Sequence, residues 1–252
     1  MRVPLALMLA AAATAAQAHF GMIIPSTPML DQADGRSVDL TVSFSHPFLA
    51  EGMPLARPAA FGVVHGGVSV DLLDRLSPGT VMGADGFTLT HALTRPGAHV
   101  FHMTPQPYWE PDEGVFIVHH AKTYVAAYGD DEGWDALVGL PMEIEPLTRP
   151  FGLWTGNLFQ GVVLLDGEPL PFAEVEIERY AGAPGRAPNA LMATQTIRAD
   201  ANGVFSYAAP APGWWGFAAL AEAAETIERE GVARPVEIGA VLWVRFEPWP
   251  AD

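Results

Sequence analysis

Val38-Asp-Leu-Thr-Val-Ser-Phe-Ser-His46 alternates apolar and polar residues along its length. Successive side chains of a strand point to opposite faces, so Val38, Leu40, Val42, Phe44 and His46 share one face and Asp39, Thr41, Ser43 and Ser45 the other. Pro47 cannot donate to a ladder and ends the strand. The same period recurs in Ala173-Glu-Val-Glu-Ile-Glu-Arg179, which turns Ala173, Val175 and Ile177 inward and Glu174, Glu176 and Glu178 outward.

Outward from these two stretches, strands are predicted over 61–65, 87–91, 99–103 and 115–128, and again over 161–165, 194–198, 204–207, 214–220 and 236–246. Gly, Pro and Asp/Asn-Gly turns separate them. Short helices are expected at 71–76 and 132–138, and a helical or flexible acidic insertion at 221–231. The spacing predicts an all-β chain of two antiparallel β-sandwiches of immunoglobulin-like or transthyretin-like kind. The first would span 19–147 and the second 148–252.

The chain has 252 residues, 50% of them hydrophobic, which is ample for real cores. Its 13 Lys+Arg against 29 Asp+Glu give a formal charge of -16, which argues against nucleic acid or anionic lipid as partner, because such binding relies on basic side chains neutralising phosphates. With no cysteine, disulfides, thiolate metal sites and thiol catalysis are excluded, and any metal chemistry must use nitrogen and oxygen donors. No Gly-x-Ser-x-Gly elbow, Walker sequence or dinucleotide fingerprint is present, so hydrolase and nucleotide readings find no support.

Residues 1–18, MRVPLALMLAAAATAAQA, have a basic start, an apolar run and a small-x-small end, the pattern of a cleaved secretory signal. Cleavage after Ala18 would export the chain and make His19 its first residue. An N-terminal histidine offers a metal its amine and its ring Nδ1 in one small chelate.

All eight histidines precede residue 121. His46 ends the apolar face of its strand, and His119 shares a face with Val115 and Ile117, so each points inward near a strand end, where a neutral imidazole needs a partner. His120, the sequence neighbour of His119, must face the other way. For His65, His91, His99 and His102, exposure or ordinary packing is the expectation.

Several words in the chain are long and unusual: His19-Phe-Gly-Met-Ile-Ile-Pro-Ser26, Phe44-Ser-His-Pro47, Pro107-Tyr-Trp-Glu-Pro111, Phe116-Ile-Val-His-His-Ala-Lys122 and Gly213-Trp-Trp-Gly-Phe-Ala-Ala219. Together they resemble the periplasmic component of cobalt/nickel uptake systems, the DUF4198 group with its NikK-type subunits. The resemblance runs over nearly the whole chain after residue 18. It implies capture of Ni2+ or Co2+ in the periplasm and delivery to an energy-coupling-factor type importer in the inner membrane, with no enzymatic activity. Word by word it carries over His19, His46 and His119 as metal ligands, with Glu110 as a weaker candidate for an oxygen ligand or a partner of one.

The donors implied are therefore the His19 amine, the His19 imidazole, His46 and His119. Such a set suits Ni2+, Co2+, Cu2+ or Zn2+ and disfavours Mg2+ and Ca2+. Two rivals remain open: a copper-binding histidine brace, as in oxidative enzymes, and a structural or interaction module whose histidines are core residues.

Overall fold

A computed structural model describes residues 19–250. The signal-peptide reading falls on residues 1–18 and lies outside the described residues. What is described is built almost wholly from strands, joined by turns and three short 3-10 segments. Among the described residues no helix is long and apolar enough to cross a membrane.

The strands form three main sheets. The first carries Phe20–Pro25, Ser37–His46, Ala84–Ala92 and Ser77–Val81 in that order, with Glu51–Met53 added at the end of Ser37–His46. The central sheet runs Gln195–Arg198, Glu174–Tyr180, Gly213–Glu222, Val236–Glu247, Val115–Ala127, Gly97–Thr104, Ala60–His65 and Val68–Asp71. The third holds Met142–Pro146, Leu158–Leu165 and Glu168–Pro169, with Val204–Ala208 on the other side of Leu158–Leu165.

Both faces of the central sheet are covered, and the strand period sorts its side chains between two cores. Ile117, Ala121, Val125, Trp214, Ala218, Val241 and Trp243 pack with Phe20, Met22, Leu40, Val42 and Phe44 of the first sheet. Their neighbours Tyr124, Ala126, Trp215, Phe217, Leu242, Val244 and Phe246 pack with Ile144, Phe159, Val163 and Phe205 of the third. The segments expected as separate sandwiches therefore meet inside one sheet, where Val115–Ala127 pairs in parallel with Val236–Glu247, Ile117 opposite Glu237 and His119 opposite Gly239.

The sequence reading of the strands agrees with this architecture, with local corrections. The acidic insertion at 221–231 is not helical: it contributes to a hairpin, Ile227–Arg229 with Val232–Arg234. Segment 132–138 is turns, and only Leu73–Arg75 of the other expected helix is helical, as a 3-10 turn. The strands Phe20–Pro25 and Met142–Pro146 were not anticipated, because MIIP and MEIEP run too briefly to show a period. Ser43 and Ser45, placed on a polar face, are buried, and the Ser45 hydroxyl donates to Ser43 at 3.1 Å. Glu178, placed outward, is also buried.

Two features fix the start of the first strand, where His19 sits. Trp243 Nε1 donates to the Gly21 carbonyl at 2.9 Å, and the Phe20 and Trp243 rings lie 5.9 Å apart. Gly21 itself passes close to the Val115–Ala127 strand, since a Cβ there would come within 2.9 Å of the His119 carbonyl oxygen. The first and last strands of the fold are thus locked together beside His119.

Candidate metal centre

The pairing of Phe20 with Ser45 extends one residue back to set His19 beside His46, and their rings lie 4.8 Å apart. His19 is buried and stacks on Phe44 with an interplanar angle of 18°. His119 arrives from the central sheet, and its ring stands edge-on to the same Phe44 at 6.2 Å. Three histidines singled out from their words thus come together, His46 against the His19 ring and both His19 and His119 against Phe44.

Each ring is held by specific partners. His119 Nδ1 lies 2.7 Å from the His19 carbonyl oxygen. A carbonyl only accepts, so Nδ1 donates to it, and Nε2 is the nitrogen left to meet Glu237. That Nε2 lies 3.0 Å from Glu237 Oε1. His19 Nε2 lies 3.1 Å from Glu110 Oε2, and donation to that carboxylate leaves Nδ1 as its lone-pair nitrogen. Glu110 also accepts from the Asp112 amide at 3.1 Å. Glu110, the weaker candidate expected as an oxygen ligand or a partner of one, therefore touches the outer nitrogen of His19.

Glycine makes room for this arrangement. Gly239 faces His119 across the parallel pair, and a Cβ there would fall 2.5 Å from His119 Cδ2. Any larger residue would push the imidazole out of its place between Glu237 and the His19 carbonyl.

His46 is reached from the other segment. The buried Glu178 accepts from the Phe48 amide at 2.9 Å and from the Thr194 hydroxyl, and so fastens the turn that follows His46. His46, Phe48, Glu174, Glu176 and Glu178 line a pocket of about 350 Å³. On the opposite side, His119, Phe44, Tyr108, Met103 and Ile117 line a narrow, mostly apolar slot.

The electrostatics follow from burial and crowding. Burial, then the neighbouring His46 and His119, lower His19 to about 4 against the partial support of Glu110 and Glu237, so its ring is neutral at pH 7. Burial pushes Glu237 up, but its hydrogen bond and electrostatic pairing with His119, with His19 nearby, outweigh this and hold it below the usual carboxylate range. Burial and the carboxylates of Glu237, Glu174, Glu178 and Glu113 raise Glu176 to about 7. Glu113 is raised by burial and by Glu237 and Glu110. A crowd of carboxylates that resist sharing negative charge attracts a cation.

The remaining histidines lie elsewhere. His120 points to the opposite face of its strand, where its Nδ1 is 3.4 Å from Thr104 Oγ1. His65 and His99 stack at 4.0 Å, and His99 Nε2 bonds the Arg95 carbonyl. Lys122, which closes the His119 word, is fully buried and donates to Glu143 at 2.6 Å. Glu143 also accepts from the amides of Val138, Gly139 and Leu140, so this pair ties down a loop and takes no part in the histidine cluster. Glu237 and Glu178 escaped the sequence reading. The signal for Glu237 was its place at the start of the last strand, which needs the parallel register to be interpreted.

Among the described residues no group of three or more His, Asp or Glu side chains is placed to hold a metal ion. Ring nitrogens of the cluster are engaged by internal partners, His19 Nε2 with Glu110 and His119 Nε2 with Glu237.

The chain matches the family described as a domain of unknown function, DUF4198, over residues 16–223. The chain belongs to the DUF4198 family. That stretch takes in His19, His46, Glu110 and His119, while Glu237 lies beyond it. No curated protein matches this DUF4198 chain. Among solved structures it is similar to the D0–D1 domain of intimin, at 15% identity with a TM-score of 0.27 over 91% of this chain and 99% of that one. It is also similar to a tandem pair of titin immunoglobulin domains, at 8% identity with a TM-score of 0.21 over 92% and 100%. A Salmonella alpha-2-macroglobulin mutant matches at 14% identity with a TM-score of 0.27, over 93% of this chain and 15% of that chain.

Proposed function

We propose that the exported chain, freed of residues 1–18, captures a divalent transition metal in the periplasm, nickel first and cobalt next, and passes it to an inner-membrane importer of energy-coupling-factor type. The observation that carries this reading is the meeting of His46 with His19 and of His19 and His119 on Phe44, with His19 held by Glu110 through Nε2. With Nε2 so engaged, His19 keeps Nδ1 for a six-membered chelate ring closed by its own main-chain nitrogen. In the precursor that nitrogen is a peptide amide, a poor ligand; signal cleavage turns it into an amine.

The donor set then comprises the His19 amine and Nδ1, His46 and His119 Nε2. Neutral imidazoles and an amine bind Ni2+, Co2+ and Cu2+, and intrinsic affinity favours copper, so nickel loading depends on geometry and supply. The metal is cargo, and no reaction on it is invoked. Titrating Ni2+ into chain beginning at His19, and into His46→Ala and His119→Ala variants, tests the reading: one equivalent bound by the first and weakened binding by both variants is expected, and no uptake by the first refutes it.

A further inference from the structure

The glutamates of Glu174–Tyr180 share one face of their strand. Glu176 pairs with Ala218, a residue of the first core, so this face looks to the side where the turn after His46 lies. Same-face residues of a strand follow one another at about 6.5–7 Å, so Glu174, Glu176 and Glu178 form a row along the cavity of about 350 Å³ and do not converge on one point.

The rest of the cavity wall has the opposite character. Phe48, Leu49 and Leu191 line it. Phe48 is held by the Gly185 amide, which donates to its carbonyl at 2.7 Å, and a Cβ on Gly185 would come within 2.6 Å of its ring. Leu191 stands at the rim, 84% exposed.

The row of carboxylates is short of positive charge. Glu178 is only 3% exposed, and the donors that reach its oxygens, the Phe48 amide and the Thr194 hydroxyl, are neutral. A carboxylate is almost never so deeply buried without a cationic partner. Among the described residues no ion pair joins a lysine or arginine to Glu174, Glu176 or Glu178, and the single lysine, Lys122, is committed to Glu143. His46 acts on Glu178, whereas the side chains that act most strongly on Glu176 are all glutamates.

A bare metal ion does not answer this arrangement, since no three of these groups are placed to hold one and the apolar wall would have nothing to contact. A cavity of this volume is of the size that takes a small organic ligand. We propose that it binds a short alkylammonium ion, with the ammonium head on Glu176 and its neighbours in the row and the aliphatic body against Phe48, Leu49 and Leu191. The site goes beyond the metal-capture reading and does not depend on it.

The experiment titrates pentylamine, charged at pH 7, into chain beginning at His19, beside the uncharged 1-pentanol. Saturable binding of one equivalent of pentylamine is expected, and at least about 10-fold weaker binding of the alcohol. Glu176→Gln should lose at least about 10-fold in pentylamine affinity, and Leu191→Ser about 3-fold or more, each with an unchanged melting temperature. No saturable binding would overturn the proposal, as would equal affinity for the alcohol or a Glu176→Gln variant that binds as the unsubstituted chain does. Displacement of pentylamine by an equal concentration of Mg2+ would overturn it too, since that marks a general acidic surface. Ni2+ uptake measured on the same chain reports on metal capture separately, so either reading can fail without the other.

Discussion

His119 donates from Nδ1 to the main-chain carbonyl of His19 at 2.7 Å across a sequence separation of 100 residues. This one bond fixes the orientation of the His119 ring and ties it to the residue that precedes the first strand. The first strand cannot shift without moving the ring. Anchoring by Trp243 at Gly21 extends the constraint to the last strand.

Gly239→Ala follows directly from this geometry. The new methyl would lie 2.5 Å from His119 Cδ2, so the imidazole must rotate and give up its contacts with the His19 carbonyl and Glu237. We expect Ni2+ affinity to fall by about 10-fold or more, with a smaller effect on thermal stability, because the strand itself can keep its ladder. Isothermal titration beside a melting curve measures both, and unchanged affinity would show that the ring orientation is not needed.

The Lys122–Glu143 pair predicts the reverse outcome. Both side chains are buried, with Nζ 2.6 Å from the carboxylate. Burial opposes the lysine charge, yet Tyr124 and Glu143 outweigh it and raise its pKa, while Lys122 and the loop amides outweigh burial and lower that of Glu143. Removing one partner leaves a buried charge, at a cost of about 3–5 kcal/mol. Lys122→Met should therefore lower Tm by about 6–20 °C in a chain of this size and leave Ni2+ binding by the folded protein unaltered.

Acid should weaken the fold through its buried neutral histidines. Burial is the main cause that lowers His19, His99 and His120 to about 4 from an ordinary 6.5. Between those values the unfolded chain binds more protons than the native one, so stability is full above about pH 6.5 and is lost as pH falls toward 4. Glu176, raised to about 7, acts the other way: its contribution is present below its ordinary 4.5 and is lost as pH rises through 7. Three groups outweigh one on the acid side, so the urea midpoint should fall steadily from pH 6.5 to 4; a flat midpoint would contradict the neutral, buried histidines.

Glu178→Ala tests how the second segment supports the first. It removes acceptors for the Phe48 amide and the Thr194 hydroxyl, and stranding such buried donors costs about 1–3 kcal/mol each. The turn after His46 should loosen, which faster amide exchange at Phe48 would report. Metal affinity should weaken only as far as His46 contributes to it.

The strands were legible in the sequence wherever alternation ran long enough, as in Val38–His46 and the stretch before Tyr180, and so were His19, His46 and His119. What escaped was non-local. That Val115–Ala127 and Val236–Glu247 run parallel in one sheet leaves no mark on either stretch, because the pairing joins residues far apart in the chain, such as Ile117 and Glu237. Glu237 reaches His119 only through that register. Glu178 was misread because alternation assigns a face, and the face assigned to solvent turned out to be covered by the His46 turn.

The central claim is that His19 binds metal through its own amine, and the most direct measurement compares two chains. Ni2+ is titrated into protein beginning at His19 and into protein with one additional residue before it. The account predicts one equivalent bound by the first with release of protons, weakening below about pH 6 as amine and imidazoles are protonated, and at least about 10-fold weaker binding by the second. Equal affinity in the two chains would contradict it.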